Sequence, residues 1–479
     1  MFEKDINYIH TFKIKSKNLI METITNTLRD SKTARWTALT IVSFTMLCGY
    51  YIADVMAPLK PMLEKELLWN STEYGFFTSA YGWFNVFLLM LILGGILLDK
   101  KGVRFTGNMS TIVMVAGTAL KYWAISTHSL DGLHILGMKA QVVVAALGYA
   151  VFGVGVEVAG IVVSKVIVKW FKGKEMALAM GLQLATARLG TALALFASYP
   201  IAIWMGGVAK PVLLGLILLC IGMIAFFMYS IQDKKLDKSV AEEAAISGAV
   251  EEESFRLADL KFIIKNKGWW YIAILCVLFY SAVFPFLKYA SDLMVNKFGV
   301  NPLVAGTIPS LLPFGTILLT PLFGSVYDRR GKGATLMIIG AIIIILVHAL
   351  FSVPFLNFKS VAIALIIFLG IGFSLVPSAM WPSVPKIIPE RQLGSAYALI
   401  FWVQNWGLMG VPALIGWVLD KYCISGTRLV DGVSIPNYNY TIPMLIFTCF
   451  GVLALIFAFL LKAEDRKKGY GLELPNIKE

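Results

Sequence analysis

The stretch EVAGIVVSKVIVKWFKGKEMALAMGLQLATAR, residues 157–188, decides how the rest of the chain is read. It has the pattern of two long apolar helices joined by a tight, basic, glycine-containing turn at Trp170–Glu175. A carboxylate, Glu157, lies deep in the first helix, and a guanidinium, Arg188, lies deep in the second. The two are almost equally far from Gly173. At ~1.5 Å rise per residue both sit roughly 20 Å from the turn, near the middle of a ~30 Å hydrocarbon layer. An ion at that depth costs at least ~2.5–3.5 kcal/mol and normally faces a partner or a watery cavity. Opposite charges at matched depth on antiparallel neighbours can hold the two ends of a zwitterion. A structural ion pair between the two helices is the other expectation.

Composition supports reading these helices in a membrane. Of 479 residues, 58% are hydrophobic and only 15% charged, and the mean hydropathy is +0.75. Soluble domains carry about 25% charged residues. The net charge of +13 would suggest nucleic acid in a soluble chain; here it follows the membrane instead, and no nucleic-acid partner is expected. The five cysteines show no CxxC or metal-ligand spacing, so neither a metal nor a cofactor is expected. No cleavable signal peptide is visible ahead of the first apolar run, and Met1 and Met21 are both open as the start.

About twelve apolar runs are long enough to span. They lie near 36–58, 72–98, 104–127, 138–169, 175–203 and 208–231, then near 269–295, 302–326, 334–354, 360–387, 393–419 and 441–461. The expected organisation is an N-terminal segment 1–35, a six-helix bundle 36–231, a charged linker 232–268, a second six-helix bundle 269–462 and a tail 463–479. Placing both termini and the linker on one side collects most of the Lys and Arg there, including Lys100, Lys101, Arg104, Lys172, Lys174, Arg329, Arg330 and Lys332. That side is cytoplasmic by the positive-inside rule.

An internal repeat relates the halves. GGILLDKKGVR places Gly95, Asp99 and Gly102 at G-x3-D-x2-G, and GSVYDRRGKG places Gly324, Asp328 and Gly331 at the same spacing. The glycines would allow close approach of helix ends. Each acid, beside Lys100 or Arg329, would latch neighbouring helices through charge-assisted bonds, with Arg104 completing the first copy. A gate that breaks and reforms is one reading, and static capping of helix ends is the other. GWVLDKY (Gly416, Asp420) repeats part of the pattern. Prolines such as Pro285, Pro313, Pro321, Pro377, Pro382 and Pro385 are expected hinges.

Polar groups inside the runs are the candidate site. Asp54, in GYYIADVMAP, is the other acid set clearly inside a run, where it would bind substrate, take a proton or cap a broken helix. Phe77, Tyr81 and Asn85 recur at i, i+4 and give one aromatic and polar face. Lys165 lies near a helix end, where it would snorkel with no part in binding. Lys288 would snorkel outward or line a cavity, Trp381 stands against Pro382, and Gln404 and Asn405 stand among aromatics.

The twin loop signature resembles that of the major facilitator superfamily, which implies an all-α membrane protein of twelve transmembrane helices in two six-helix bundles rocking about a midplane site. Within it, WFKGKE…GLQLATARLG, YGWFNV, VFPF…KFG, MWPSVP…PERQLGSAY and QNWGL resemble the lysosomal dipeptide carriers. That resemblance implies transport of dipeptides. Glu157 would take the amino end and Arg188 the carboxyl end, with Asp54, Tyr81, Asn85 and Trp381 on similar positions. Lys288 departs from the small residue expected there, which bears on side-chain preference. No acidic dileucine sorting signal is visible, so the expected location is a bacterial cytoplasmic membrane, or a lysosomal one if the chain is eukaryotic. The expected state is a monomer without accessory subunit, working by facilitated diffusion or proton symport. The rivals are an organic-anion or organophosphate exchanger using Arg188 and Lys288, and a proton-coupled carrier of another small metabolite. No HExxH, GxSxG or paired intramembrane aspartates point to an enzyme.

Overall fold

The computed structural model describes residues 28, 30–135, 137–171, 174–247, 257–389, 392–430 and 432–476. Both candidate start methionines, Lys172 and Gly173 of the central turn, and residues 248–256 of the linker lie outside the described residues.

Helix α1 spans Lys32–Asp54 and begins where the Ser31 side chain accepts from the Ala34 amide, a hydroxyl N-cap satisfying an orphan donor. A short α2 (Lys60–Glu66) follows. Next, α3 (Ser71–Ser79) opens on a capping box between Asn70 and Glu73. A 3₁₀ turn at Ala80–Gly82, α4 (Trp83–Phe87) and α5 (Met90–Ser126) continue the chain. The strands β1 (His134–Ile135) and β2 (Met138–Lys139) precede α6 (Ala140–Phe171), α7 (Met176–Met205) and α8 (Lys210–Ser247). In the second half come α9 (Leu257–Lys265), α10 (Lys267–Phe298), α11 (Pro302–Ala305), α12 (Thr307–Arg330), α13 (Gly333–Ser352), α14 (Lys359–Ile387) and α15 (Leu393–Tyr422). A hairpin of β3 (Ile424–Val430) and β4 (Val433–Tyr438) and then α16 (Thr441–Lys468) complete the fold.

Among the described residues ten helices are long and apolar enough to cross a membrane, and a bent pair, Ser71–Phe87 with Met90–Ser126, makes up to eleven. The runs expected at 72–98 and 104–127 meet without a loop: Gly102, at φ 75° and ψ 176°, is a non-helical joint inside α5. The bent pair breaks by 55° at Leu88–Leu89, where Leu89 takes a left-handed φ of 53°. No proline stands at that break. The prolines expected as hinges instead lie inside continuous helices, Pro313 and Pro321 in α12 and Pro377, Pro382 and Pro385 in α14.

In the first half α5 packs on α6, and α1 on α7 and α8; in the second, α13 packs on α14 and α16, α12 on α14, and α10 on α15 and α16. Two seams join the halves, α3 with α15 and α7 with α12. The start of α1 and the α6–α7 turn share one face, where Arg35 meets Glu175 at 3.0 Å and Lys174 meets Asp30 at 2.9 Å. The tail lies on that face of the second half, with Asn476 donating to Asp328 at 2.7 Å. We call this the termini face. The opposite, far face holds the connections after α1, α7 and α10, tied for instance by the Val208 amide on Glu66 at 2.9 Å.

The repeated motif divides into two kinds of glycine. Gly102 and Gly331 have φ of 75° and 67°, a region that only glycine enters cheaply. At Gly95 and Gly324 an added Cβ would meet nothing within 4 Å, so the close approach expected of them is absent. Of the acids, Asp99 pairs with Lys165 of the neighbouring α6 at 2.7 Å, and Asp328 takes Asn476 of the tail at 2.7 Å. Arg104 reaches Asp233 at 3.3 Å and Asp237 besides.

Candidate functional site

A cavity of about 100 Å³ lies between the halves. Tyr50, Asp54, Tyr81 and Glu157 line it from the first half, and Phe284, Lys288 and Gln404 from the second. It is smaller than the ~300–1,000 Å³ of ordinary ligand pockets.

The face Phe77–Tyr81–Asn85 turns as a unit onto α6. Phe77 stacks on Tyr149 at 4.9 Å, Tyr81 donates to Glu157 Oε1 at 2.7 Å, and Asn85 Nδ2 donates to the Gly153 carbonyl at 3.4 Å. The approach is close because residue 153 is glycine: a Cβ there would run into the Tyr81 carbonyl. Of the three only Tyr81 lines the cavity, and Asn85 belongs to the packing between the two spans.

Arg188 is half-buried, and its guanidinium lies over the second half's aromatic rings, 5.0 Å from Phe373 and 5.4 Å from Phe284. Such a placement is a cation–π arrangement. Among the described residues Glu157 and Arg188 form no ion pair, so the structural-pair reading does not hold in this conformer. Tyr50 lines the same cavity as Glu157 and Asp54.

Lys288 does not snorkel outward. It donates to the Ala53 carbonyl at 2.7 Å, to Asp54 Oδ1 at 2.6 Å and to the Tyr149 hydroxyl at 3.4 Å. All three ammonium hydrogens therefore land on the opposite half. The other oxygen of Asp54 accepts from Thr191 at 2.7 Å, so its side chain is a cross-half ion partner rather than a helix cap. Trp381 donates to the Tyr280 hydroxyl at 3.1 Å and packs at a tilt against Phe401, ring centroids 5.0 Å apart, outside the cavity wall. Gln404 lines the cavity and accepts from Cys276 Sγ at 3.6 Å. Asn405 turns back onto the Phe401 carbonyl at 2.9 Å and does not line it.

Several residues escaped the sequence reading. Tyr50 and Tyr149 are wall residues without charge to mark them. Lys121 is fully buried, donates to the Ile52 carbonyl at 3.2 Å and lies 4.9 Å over the Tyr149 ring. Its place in the middle of an apolar run was a usable signal. Asp54 is also not the one further acid inside a run: Asp292, one turn beyond Lys288 in α10, is fully buried and pairs with Lys60 at 3.0 Å. The first half thus offers an acid in α1 and a base in α2, and α10 of the second half a base then an acid. These two complementary pairs close the far face, the Asp54–Lys288 pair in the cavity wall and the Lys60–Asp292 pair beyond it. Asp420, from the partial third motif, completes the seal by accepting from the Ser71 amide at 3.1 Å and from the Thr72 amide at the start of α3. A carboxylate is favoured at a helix N-terminus.

A sequence profile of the Major Facilitator Superfamily matches residues 39–412 and 290–474. The lysosomal dipeptide transporter MFSD1 of Danio rerio is 30% identical over 384 residues, 78% of each chain, and that of Homo sapiens is 26% identical over 397 residues, 81% of this chain and 80% of the other. Among solved structures, a bacterial homolog of the human lysosomal transporter spinster, in an inward-facing and unoccupied conformation, superposes with a TM-score of 0.67 at 12% identity, covering 91% of this chain and 98% of that one. A D-xylose–proton symporter gives 0.65 at 16% identity, covering 88% and 97%. The relatives and structural neighbours are membrane transporters rather than enzymes, and by sequence and fold together the chain belongs to the major facilitator superfamily.

Proposed function

We propose that the chain carries dipeptides across a bacterial cytoplasmic membrane by alternating access, as twelve spans in two six-helix bundles with both termini in the cytoplasm. Glu157 receives the peptide's ammonium group and Arg188 its carboxylate. The observation that carries the reading is Glu157 itself: a carboxylate in the wall of a cavity between the halves, held among the described residues by one neutral donor, Tyr81. A carboxylate so placed, with no cation bonded to it among the described residues, is open to a cationic ligand group. Arg188 waits on two rings of the other half, where its planar fork is free to turn onto a carboxylate bidentately. Recognition of the two chain ends leaves side chains to the tyrosine-lined wall. The dipeptide-transporting relatives point the same way.

The anion-exchanger reading needs Arg188 and Lys288 as two free bases facing one ligand. Lys288 has its three hydrogens committed to the first half, and Glu157 would repel an anion. With the far face sealed, this conformer receives and releases substrate on the termini face. The test is counterflow of a labelled neutral dipeptide in proteoliposomes for wild type, Glu157→Gln and Arg188→Lys. Uptake that unlabelled dipeptides compete away, and that falls at least tenfold in both variants, is the expected result. Competition by a sugar phosphate with no dipeptide flux would overturn it.

A further inference from the structure

Beyond the cavity, the outer of the two complementary pairs contains one carboxylate too many. Lys60 is fully buried, and it serves two acids: Glu64 at 2.5 Å on its own helix and Asp292 at 3.0 Å on α10 of the other half. Tyr440, at the head of α16, also donates to Asp292. The ring of Tyr438 covers the Lys60 ammonium at 4.4 Å. Glu64 is thus enclosed by Lys60, Asp292, Tyr438 and Tyr440, with Arg428 of β3 as the further charge that acts on it. The Glu64 side chain is only 2% exposed. Its Oε2 has no hydrogen-bond partner among the described residues, although a buried carboxylate oxygen normally has one.

We propose that Glu64 is a proton-binding site that locks the far face: a proton taken from the far-side solution stabilises the closed seam, and its loss loosens the seam. The group lies in α2, outside the spans, and its environment explains the direction. Burial raises the Glu64 carboxyl to about 7; Lys60 works against this, and Asp292 adds to it. Once the far face opens, Glu64 meets water and returns to the ordinary carboxylate range of about 4.3. The closed state therefore binds the proton more tightly. By linkage, the stabilisation of closure is fully present below the open-state value and is lost as pH rises through the closed-state one. Acid on the far side holds the carrier shut there; neutral and alkaline conditions release it. The proton enters from and returns to the same side, so this is control of the gate and not coupling of proton flux to substrate.

The test needs no substrate, so its failure is separate from failure of the dipeptide reading. Spin labels go at Leu68→Cys and Leu429→Cys, exposed far-face positions on opposite halves, in a chain whose five native cysteines are replaced, in lipid nanodiscs. Pulsed dipolar spectroscopy then reads the distance between halves from pH 5 to pH 8. In wild type the closed-to-open ratio falls more than ~10-fold across that range. Glu64→Gln stays neutral and holds the pH 5 distribution throughout. Asp292→Asn removes the repulsion and moves the transition to lower pH. A wild type insensitive to pH, or a Glu64→Gln chain that keeps the wild-type response, overturns the proposal. If Glu64→Gln does not fold, an unshifted transition in Asp292→Asn does the same.

Discussion

Lys288 illustrates how a single side chain can act as a joint between two bodies. Its ammonium has three hydrogens and spends them on Ala53, Asp54 and Tyr149, so opening the far face must strip all three at once. Removing one member of a buried ion pair leaves the other uncompensated and costs ~3–5 kcal/mol, whereas removing both costs far less. Lys288→Met and Asp54→Asn should therefore each lower thermal stability in lipid nanodiscs, and the double variant should lose much less than the sum. A double-mutant cycle with a coupling below about 0.5 kcal/mol would sink this view, since independent sites add within that margin. Residues of this kind were legible because a charge inside an apolar run has no bland explanation. Glu157, Asp54, Arg188 and Lys288 were found that way. Lys60 and Glu64 were not, because they stand in a polar connection and are covered by Asp292, Tyr438 and Tyr440 of the second half.

At the scale of elements, the twin loops show what a repeat does and does not reveal. The spacing is visible in sequence, yet the partners are not: Asp99 reaches Lys165 on α6, while Asp328 is met by the tail at Asn476. The first copy latches one helix to another, and the second ties a helix to the end of the chain. The glycines separate by backbone geometry. Gly102 has open space around it but a φ of 75° with ψ 176°, so Gly102→Ala should cost ~1–3 kcal/mol from backbone strain alone. Gly95→Ala, in open space within a helix, should instead be neutral or stabilise by up to ~1 kcal/mol. Melting curves of the two variants side by side check the contrast, and equal losses would contradict it. The break in span two was hidden for a related reason. The prolines expected as hinges lie inside continuous helices, while the sharp break of the chain falls at Leu88–Leu89, which carries no breaker residue.

Over the whole molecule, closure of the far face depends on how nearly two backbones can touch. Along the α3–α15 seam, a Cβ built at Gly75 would lie 2.7 Å from the Pro412 carbonyl and 3.0 Å from the Gly416 Cα. Tyr74 beside it donates to the Lys288 carbonyl at 2.8 Å. The second seam repeats the device, since a Cβ at Gly306 would strike the Leu195 carbonyl. Backbone atoms cannot rotate away as a side chain can, so Gly75→Val has to drive the halves apart on this face alone. In the labelled pair Leu68→Cys and Leu429→Cys, Gly75→Val should lengthen the distance at pH 5 as well as at pH 8, overriding the Glu64 lock. Counterflow should fall with it, because a carrier that cannot close its far face cannot complete the exchange between sides. Gly94→Val is the control: its crowding is against Val158 within the first half, and it should leave the far-face distance unchanged. A Gly75→Val chain that still closes at pH 5 would mean the seam is compliant, with closure set by the buried charges rather than by contact between the backbones.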